Sequence, residues 1–243
     1  MNSEKELLIY GKRAVYEAIE NDVEIDKVFL QKNNSYLDNI KSKIHKKNIQ
    51  VSFVPIEKLN KLTKNNHQGI VATISPISTL DINGLEGKLK NTKSLLILVL
   101  DGITDTKNFG AIIRSAECFD VDLIIIPKTG SSPINGETIK SSSGAIFNVP
   151  ICKVNHIKDA IFLLKENEIN LVGTSDKGFS SLYEHKFNSR TAIIIGSEGQ
   201  GINKSVLKLC DQVVNIVMQG KISSLNVSVA TGIFLAEFRR QFN

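Results

Sequence analysis

Apolar residues in the second half of the chain are concentrated in five short runs. The runs are LLILVL (95–100), DLIII (122–126), INLVG (169–173), AIII (192–195) and VVNIV (213–217). Each run is rich in leucine or β-branched residues and is followed by a segment with helical spacing. Nearly continuous apolar strands of this kind are typical of a parallel sheet covered on both faces. The pattern therefore predicts an α/β fold, with ligands bound outside the carboxyl ends of the strands.

The first 75 residues show a weaker alternation of helical and extended segments. Apolar residues recur at helical spacing in residues 11–21 and 36–47, whereas 27–31, 51–54 and 70–74 are short apolar runs. Elements of both kinds in so short a stretch predict a small α/β layer domain.

Between these regions, residues 76–93 are polar and have no sustained hydrophobic period. They contain Pro76, Gly84 and Gly87, which favour turns. We therefore predict three parts: a first domain at 1–75, a linker at 76–93 with at most one short helical turn, and a second domain at 94–243.

The composition excludes several classes of protein. Hydrophobic residues make up 42% and charged residues 23%, which is an ordinary globular mixture. No apolar run approaches the ~18 residues of a membrane span, and the start MNSEKE lacks the apolar region of a secretory signal. Cys118, Cys152 and Cys210 are scattered and odd in number, so neither a disulfide framework nor zinc is indicated. We expect a protein of the reducing cytoplasm.

The distribution of charge is more informative than the net charge of +5. Residues 41–64 contain seven lysines and a single acidic residue, Glu57. This stretch is either a solvated helix face or a surface that neutralises phosphates, and the second interpretation predicts binding that weakens steeply with salt.

The segment LDGITDTKNFGAIIRSAECF (100–119) follows the first strong strand. We predict a polar loop and then a helix that begins near residues 108–110, with Asn108 as its N-cap or as a site residue. Arg114 then lies about one and a half turns into the helix, where the helix dipole opposes a cation. Arg114 is therefore either a surface residue or part of a phosphate site shared with the helix N-terminus.

Two further loops follow predicted strands. The segment SSSGAIFNVPI (141–151) has small residues before a short strand and indicates a turn. The loop AIIIGSEGQGI (192–202) places Glu198 among Gly196, Gly199 and Gly201. Its glycine order is not the dinucleotide fingerprint, and it lacks the lysine of a P-loop. A carboxylate there suits hydroxyls, amines or a cation better than phosphate.

The last segment, NIVMQGKISSLNVSVATGIFLAEFRRQ (215–241), contains a long helix. We predict that this helix runs from about Leu225 to Arg240, with Ser223 or Ser224 as its cap. Asn226 and Ser228 would then fall in the first turn of a buried helix. Polar residues in such a turn are either satisfied structurally or face a site.

The runs NFGAIIRSAECF, GSEGQGI and SSLNVSVATGI, in this order and spacing, resemble the three signature motifs of the SpoU (TrmH-like) RNA methyltransferases. The resemblance covers residues 94–243. IYGKRAVYEAI (9–19) and HQGIVATI (67–74) resemble the ribosomal-protein-like RNA-binding domain of the subgroup that methylates a guanosine of 23S ribosomal RNA.

This resemblance implies a trefoil-knotted second domain that binds S-adenosylmethionine and a homodimeric enzyme. It implies catalytic roles for Asn108, Arg114, Glu198, Ser224 and Asn226. The implied cofactor contacts are Thr174, Gly196, Ile216, Met218, Gly220 and Leu225. Phe109 and Thr106 depart from the leucine and proline of the family pattern, at positions that should not touch the chemistry.

The implied reaction is transfer of a methyl group to a ribose 2′-oxygen. The family proposal makes Arg114 the base, but a guanidinium stays protonated in proteins. We therefore expect Arg114 to hold the adjacent phosphate and to stabilise the developing alkoxide, while Glu198, Ser224 and Asn226 position ribose and cofactor.

The expected partners are 23S ribosomal RNA or a precursor ribosomal subunit, with no membrane and no DNA, because DNA lacks the 2′-hydroxyl. Two alternatives are a tRNA 2′-O-ribose methyltransferase and a non-catalytic RNA-binding ribosome-assembly factor. A Rossmann-type nucleotide binder is disfavoured by the glycine order.

Overall fold

The computed structural model describes residues 6–90, 93–178, 180–222 and 224–242, which form two compact units. The first unit contains the described residues up to Ser78 together with Pro133–Asn148, and the second contains Thr79–Ser132 and the chain from Val149 onward. The helices and strands, in chain order, are β1 (Leu7–Tyr10), α1 (Lys12–Glu20), β2 (Ile25–Gln31), α2 (Asp38–Lys46), β3 (Val51–Val54), α3 (Ile56–Leu62), β4 (Ile70–Ile74), α4 (Ile82–Leu89), β5 (Leu95–Asp101), α5 (Thr106–Cys118), β6 (Leu123–Pro127), α6 (Gly136–Ser141), β7 (Ile151–Val154), α7 (Ile157–Glu166), β8 (Asn170–Thr174), β9 (Ser180–Ser181), β10 (Arg190–Gly196), α8 (Lys204–Leu207), β11 (Gln212–Asn215) and α9 (Val227–Phe242).

The first unit is built on a four-stranded sheet in the order β1-β4-β2-β3. β4 pairs antiparallel with both β1 and β2, whereas β3 pairs parallel with β2. The prediction of a small α/β layer is confirmed for α1, α2 and β2–β4, because their apolar positions become its core. β1 and α3 were not predicted.

A segment far along the chain completes this first unit. Helix α6 packs against β1, where a Cβ atom on Gly136 would lie 2.2 Å from the carbonyl oxygen of Leu8. Lys140 on the same helix donates a hydrogen bond to Gln68 at 2.8 Å. The Gln68 side chain also accepts one from the backbone N–H of Lys12 at 3.0 Å, at the start of α1. The first unit is therefore discontinuous in sequence, a feature that the predicted boundaries lack.

The second unit is built on a seven-stranded sheet in the order β7-β6-β5-β10-β8-β11-β9. Each pair of neighbouring strands is parallel, as the apolar runs predict. One face is covered by α4, α7 and α8, whose leucines and isoleucines join the strand side chains in a single core. α9 packs on β10 and beside α5.

The prediction that the linker holds at most one short helical turn is wrong for residues 82–89. These residues form α4, which Asp81 caps by accepting a hydrogen bond from the backbone N–H of Gly84 at 2.9 Å. Leu85 and Leu89 are fully buried in the core of the second unit. Two leucines four residues apart supply the burial that holds a helix, despite the helix-weakening glycines nearby.

None of the helices in the described residues combines the length and the hydropathy that a membrane span requires.

Candidate active site

Three polar side chains from distant parts of the second unit meet in one hydrogen-bonded cluster. The Nδ2 atom of Asn226 donates to Oδ1 of Asn108 at 2.9 Å and to Oε1 of Glu198 at 2.8 Å. The same Glu198 oxygen accepts from the backbone N–H of Val227 at 3.3 Å. We name Asn108, Glu198 and Asn226 the amide–carboxylate cluster. The structure thus brings together three of the five residues predicted as catalytic.

Asn226 holds its place because it caps α9. Its Oδ1 atom accepts from the backbone N–H of Ser228 at 2.9 Å and from the Ser228 hydroxyl at 2.6 Å. The predicted cap at Ser224 is therefore wrong, and the alternative, Ser223, lies outside the described residues. Glu198 adds a carboxylate beside the same helix start, where the helix dipole favours negative charge.

Asn108 lies in the first turn of α5, which begins two residues earlier than predicted. The cap is Asp105, whose Oδ1 atom accepts from the backbone N–H of Asn108 at 2.7 Å. The prediction that Asn108 caps the helix or marks its start is wrong, because Asp105 takes that role. The Asn108 side chain is thereby left for the cluster.

Glu198 is carried by a tight loop after β10. Ser197 and Gly201 exchange two backbone hydrogen bonds, at 3.2 and 3.0 Å, which close the loop. A Cβ atom on Gly196 would lie 2.1 Å from the carbonyl carbon of Gly201 and from the nitrogen of Ile202. Only glycine at this position lets the loop fold back on the strand end, so Gly196 is required for packing whatever it contacts besides.

Arg114 and Ser224 stand apart from this hydrogen-bond network. Both are exposed, and neither side chain has a hydrogen bond or ion pair to another residue that the structure describes. Arg114 is the ninth residue of α5 rather than one and a half turns in, so it lies about 12 Å along the axis from the helix start. The predicted anion site shared by the guanidinium and the helix N-terminus is therefore wrong. Around α5, the side chains at 108 and 114 point about 120° apart.

The residues predicted to contact a cofactor follow three neighbouring strands, β10, β8 and β11. Thr174 ends β8 and donates its hydroxyl to the carbonyl of Ile194 at 3.0 Å, so its side chain ties two strand ends together. Gly196 ends β10. Ile216, Met218 and Gly220 follow β11, and the loop continues to Leu225, which is 36% exposed. The carboxyl ends of parallel strands share one edge of a sheet, so these loops start from the same edge.

Asn215 is a residue at this edge that the sequence analysis missed. Its Nδ2 atom donates to the carbonyl of Gly178 at 3.2 Å, but its buried Oδ1 atom has no partner among the described residues. A buried acceptor without a partner is uncommon and indicates a missing donor. The signal was the single polar residue in the apolar run VVNIV.

Among the residues that the structure describes, no group of three or more His, Cys, Asp or Glu side chains is arranged to hold a metal ion.

The fold and the cluster define an α/β protein whose polar site lies at the carboxyl edge of a parallel sheet. The model of the SpoU rRNA methylase family matches residues 95–236, and that of RNA 2′-O ribose methyltransferase substrate binding matches residues 8–80. The chain therefore belongs to the SpoU rRNA methylase family. The methylase match covers more than half of the chain and includes most of the second unit together with residues 133–148 of the first.

Individual relatives agree with this membership. A protein of Staphylococcus saprophyticus, provisionally described as a TrmH-family tRNA/rRNA methyltransferase, is 34% identical, covering 98% of this chain and 97% of its own. The 23S rRNA (guanosine-2′-O-)-methyltransferase RlmB of Escherichia coli K12 is 38% identical, covering 72% of each chain. The solved structure of the SpoU methyltransferase AviRb from Streptomyces viridochromogenes with AdoMet has a TM-score of 0.81 at 22% identity, covering 98% of this chain and 90% of that one. At that identity the likeness concerns the fold alone.

Proposed function

We propose that the protein transfers a methyl group from S-adenosylmethionine to the 2′-hydroxyl of a guanosine ribose in 23S ribosomal RNA. The observation that carries this proposal is the amide–carboxylate cluster, in which one amide nitrogen of Asn226 binds both Asn108 and Glu198. These are polar groups of the kind that orient a hydroxyl, and they belong to the three motifs by which the sequence resembles the family. The relatives named for guanosine 2′-O-methylation support the choice of substrate.

The edge formed by the loops after β8, β10 and β11 fits the cofactor. Backbone groups near Gly196, Ile216 and Gly220 would hold it, with the side chains of Met218 and Leu225 as apolar cover and Thr174 fixing the strand ends. The free Oδ1 atom of Asn215 is an acceptor for an amino group such as those of the cofactor. S-adenosylmethionine supplies a sulfonium-activated methyl group that an oxygen nucleophile attacks in line.

Alignment is the main contribution of the protein, because the methyl donor is already activated. Glu198 has one oxygen occupied by Asn226 and Val227, whereas its Oε2 atom has no hydrogen bond among the described residues. We assign Oε2 the hydrogen bond, and then the proton, of the 2′-hydroxyl. Asn226 and Asn108 fix the carboxylate, and Ser224, at the same helix start, helps to position the ribose.

Arg114 is assigned the phosphate next to the target ribose. Its guanidinium is exposed and unpaired in the described structure, and it stays protonated at any working pH. The guanidinium forms a bidentate hydrogen bond to a phosphate, and its charge stabilises the negative charge that develops on the nearby ribose 2′-oxygen.

Binding of the RNA is assigned to the first unit, because nearly all of residues 8–80, which match the substrate-binding model, lie in it. We also propose a homodimer, a trefoil knot in the second unit and a cytoplasmic setting, as the family resemblance implies. A precursor ribosomal subunit is the alternative form of the substrate. A tRNA substrate is a second candidate, because one full-length relative carries a name that covers both tRNA and rRNA.

The deciding experiment measures methyl transfer from labelled S-adenosylmethionine to 23S rRNA, a precursor subunit and total tRNA in parallel. Mapping should place the label on the 2′-oxygen of one guanosine, and RNA with a 2′-deoxyguanosine at that position should accept none. Label in tRNA alone favours the second candidate. Cofactor binding without transfer to any RNA favours a non-catalytic assembly factor.

A further inference from the structure

The second unit contains a cavity that the proposed function has not used. Its volume is about 440 Å³, and it opens at the carboxyl ends of β5, β6 and β7. Asp101 and Gly102 line it at the end of β5, Thr129 lines it after β6, and residues 155–158 line it after β7. None of the residues that line it belongs to the amide–carboxylate cluster or to the predicted cofactor contacts. Its volume falls within the ~300–1,000 Å³ of small-ligand pockets.

The cavity adjoins the loop that carries Glu198. Asp101 is paired in register with Gly196, where that loop begins. The Oδ2 atom of Asp101 accepts from the backbone N–H of Asn203 at 2.8 Å, just beyond the other end of the loop. The strands β6 and β7 lie on one side of β5, and β10 and β8 lie on the other. Crevices at such a reversal of strand order are where open parallel sheets bind ligands.

The chemistry of the lining suits a planar base with N–H donors. Pro127, Ile157 and Val206 supply apolar wall, and the His156 ring is exposed at the rim. Asp101 supplies a carboxylate whose Oδ1 atom has no hydrogen bond within the described ranges. A carboxylate disfavours a phosphate inside the cavity. Guanine, in contrast, presents an N1–H and a 2-amino group side by side, and proteins read an unstacked base through that edge.

The rim suits the phosphates of a polynucleotide rather than a free base. Lys158 lines the cavity, and Lys128 and Lys204 each follow a lining residue. All three are exposed, and none is paired with an acid in the part of the chain that the structure describes. Unpaired lysines around a pocket neutralise backbone phosphates on either side of an inserted base.

We propose that this cavity is a guanine subsite, which takes an unstacked guanine of the RNA strand whose ribose lies at the amide–carboxylate cluster. The proposal rests on the proposed function for its substrate. It makes Asp101 a specificity-determining residue that acts on the base and not on the methyl group.

A tryptophan reporter tests the subsite without any methyl transfer, because the chain contains no tryptophan of its own. We choose His156→Trp, since the His156 side chain makes no cap hydrogen bond, and Thr129→Trp as an independent second reporter. Guanosine and adenosine 5′-monophosphates are titrated against each. The expected result is saturable quenching, with a Kd about tenfold or more lower for the guanosine nucleotide. A hydrogen bond to a charged acceptor such as the Asp101 carboxylate accounts for a difference of this size. The matched control is Glu166→Trp, exposed at the far end of α7, which should show no saturable quenching.

Asp101→Asn in the reporter background should remove the preference for guanosine. Equal affinity for both nucleotides before this substitution, or no saturable quenching in either reporter, overturns the proposal. In methyl transfer, Asp101→Asn should raise KM for RNA and leave cofactor affinity unchanged. If Asp101→Asn lowers kcat but leaves the preference for guanosine intact, Asp101 has a structural role and the proposal is overturned as well. If the wild-type protein transfers no methyl group, the proposed function fails, while the titrations still decide the subsite.

Discussion

Glu198 and Asn226 are joined by a hydrogen bond of 2.8 Å between the carboxylate oxygen Oε1 and the amide nitrogen Nδ2. The bond connects the loop after β10 to the first residue before α9, and Asn108 extends it to α5. Three elements are therefore positioned through one side chain, and disturbance of Asn226 should reach all of them.

Replacement of Asn226 separates its two roles. Asn226→Asp keeps an acceptor for the Ser228 N–H but loses the donor and places a second carboxylate beside Glu198. We expect kcat to fall at least about tenfold, because the lost hydrogen bond involves a charged partner. The loss of stability should be small, because the acceptor that caps α9 is kept. Asn226→Ala also loses the cap and should cost about 1 kcal/mol, or a few degrees in Tm. Equal kcat for the Asn226→Asp variant and the wild-type protein would show that the donor is dispensable.

Arg114→Ala should abolish methyl transfer while cofactor affinity, measured by calorimetry, stays nearly intact. Arg114→Lys should recover little activity, since an ammonium group cannot form the bidentate hydrogen bond to phosphate. Lys107→Ala, which removes another exposed cation from the same helix, serves as the control and should keep most of the activity. Parallel loss of cofactor binding in the Arg114 variants would indicate a structural role instead.

Gly196→Ala should destabilise the second unit by several kcal/mol. The new Cβ would lie 2.1 Å from backbone atoms, which cannot move aside as a flexible side chain can. The matched control is Gly87→Ala in α4, where no atom lies within 4 Å of the new Cβ. There we expect a gain of about 0.5–1 kcal/mol from helix propensity. Denaturant unfolding of both variants measures the contrast, and a Gly196→Ala protein as stable as wild type would contradict it.

The stability of the fold should decrease in mild acid. His67 is buried, and its ring accepts from the backbone N–H of Gly69 at 3.0 Å while the other ring nitrogen meets Asn60 at 2.9 Å. Burial lowers the pKa of His67 below its usual 6.5. The folded state therefore prefers the neutral ring, so its contribution is complete above pH 6.5 and is lost as the pH falls through the lowered pKa.

Thermal unfolding between pH 7.5 and 5 measures this dependence. Burial also lowers the pKa of His185, so His67→Gln should reduce the slope of stability against pH without abolishing it. An NMR titration, with His67→Gln for assignment, should give a His67 pKa below 6.5. A pKa above 6.5 would mean that protonation of His67 stabilises the folded state, which contradicts the prediction.

Thiol reactivity should distinguish the three cysteines. Burial raises the pKa of Cys152 and of Cys210 to about 11, so little of the reactive thiolate forms at pH 8. Cys118 is exposed on α5. A thiol reagent should titrate one fast equivalent in the native protein, and Cys118→Ser should remove it. Two or more fast equivalents would mean that the core opens readily.

The parallel sheet was predictable because its strands are buried on both faces and are therefore apolar throughout. α4 was not, because two glycines broke up a helical pattern that burial of Leu85 and Leu89 sustains. β9 was missed as well, since two serines carry no hydrophobic signal and pair only because β11 offers a free edge.

The cluster was predictable in membership but not in geometry. Asp105 and Asn108 are both good caps, as are Ser224 and Asn226, so local preference does not decide between them. Hydrogen bonds between residues far apart in sequence decide which residue caps each helix. Asn226 can bind Asn108 and Glu198 only once the sheet has formed and brought the three residues together. The catalytic role of Arg114 was predicted by resemblance alone, and its relation to the cluster is still a prediction.

The discontinuous first unit has a consequence for gene exchange among relatives. Recombination at a single crossover near residue 78 would join one parent's β1 to another parent's α6, and it would separate side-chain pairs such as Lys140 and Gln68. We therefore expect chimaeras that inherit residues 6–78 and 133–148 from the same parent to be more stable than those that do not. The two segments of the first unit, residues 6–78 and 133–148, should be inherited together, and sequence variation in one should be correlated with variation in the other.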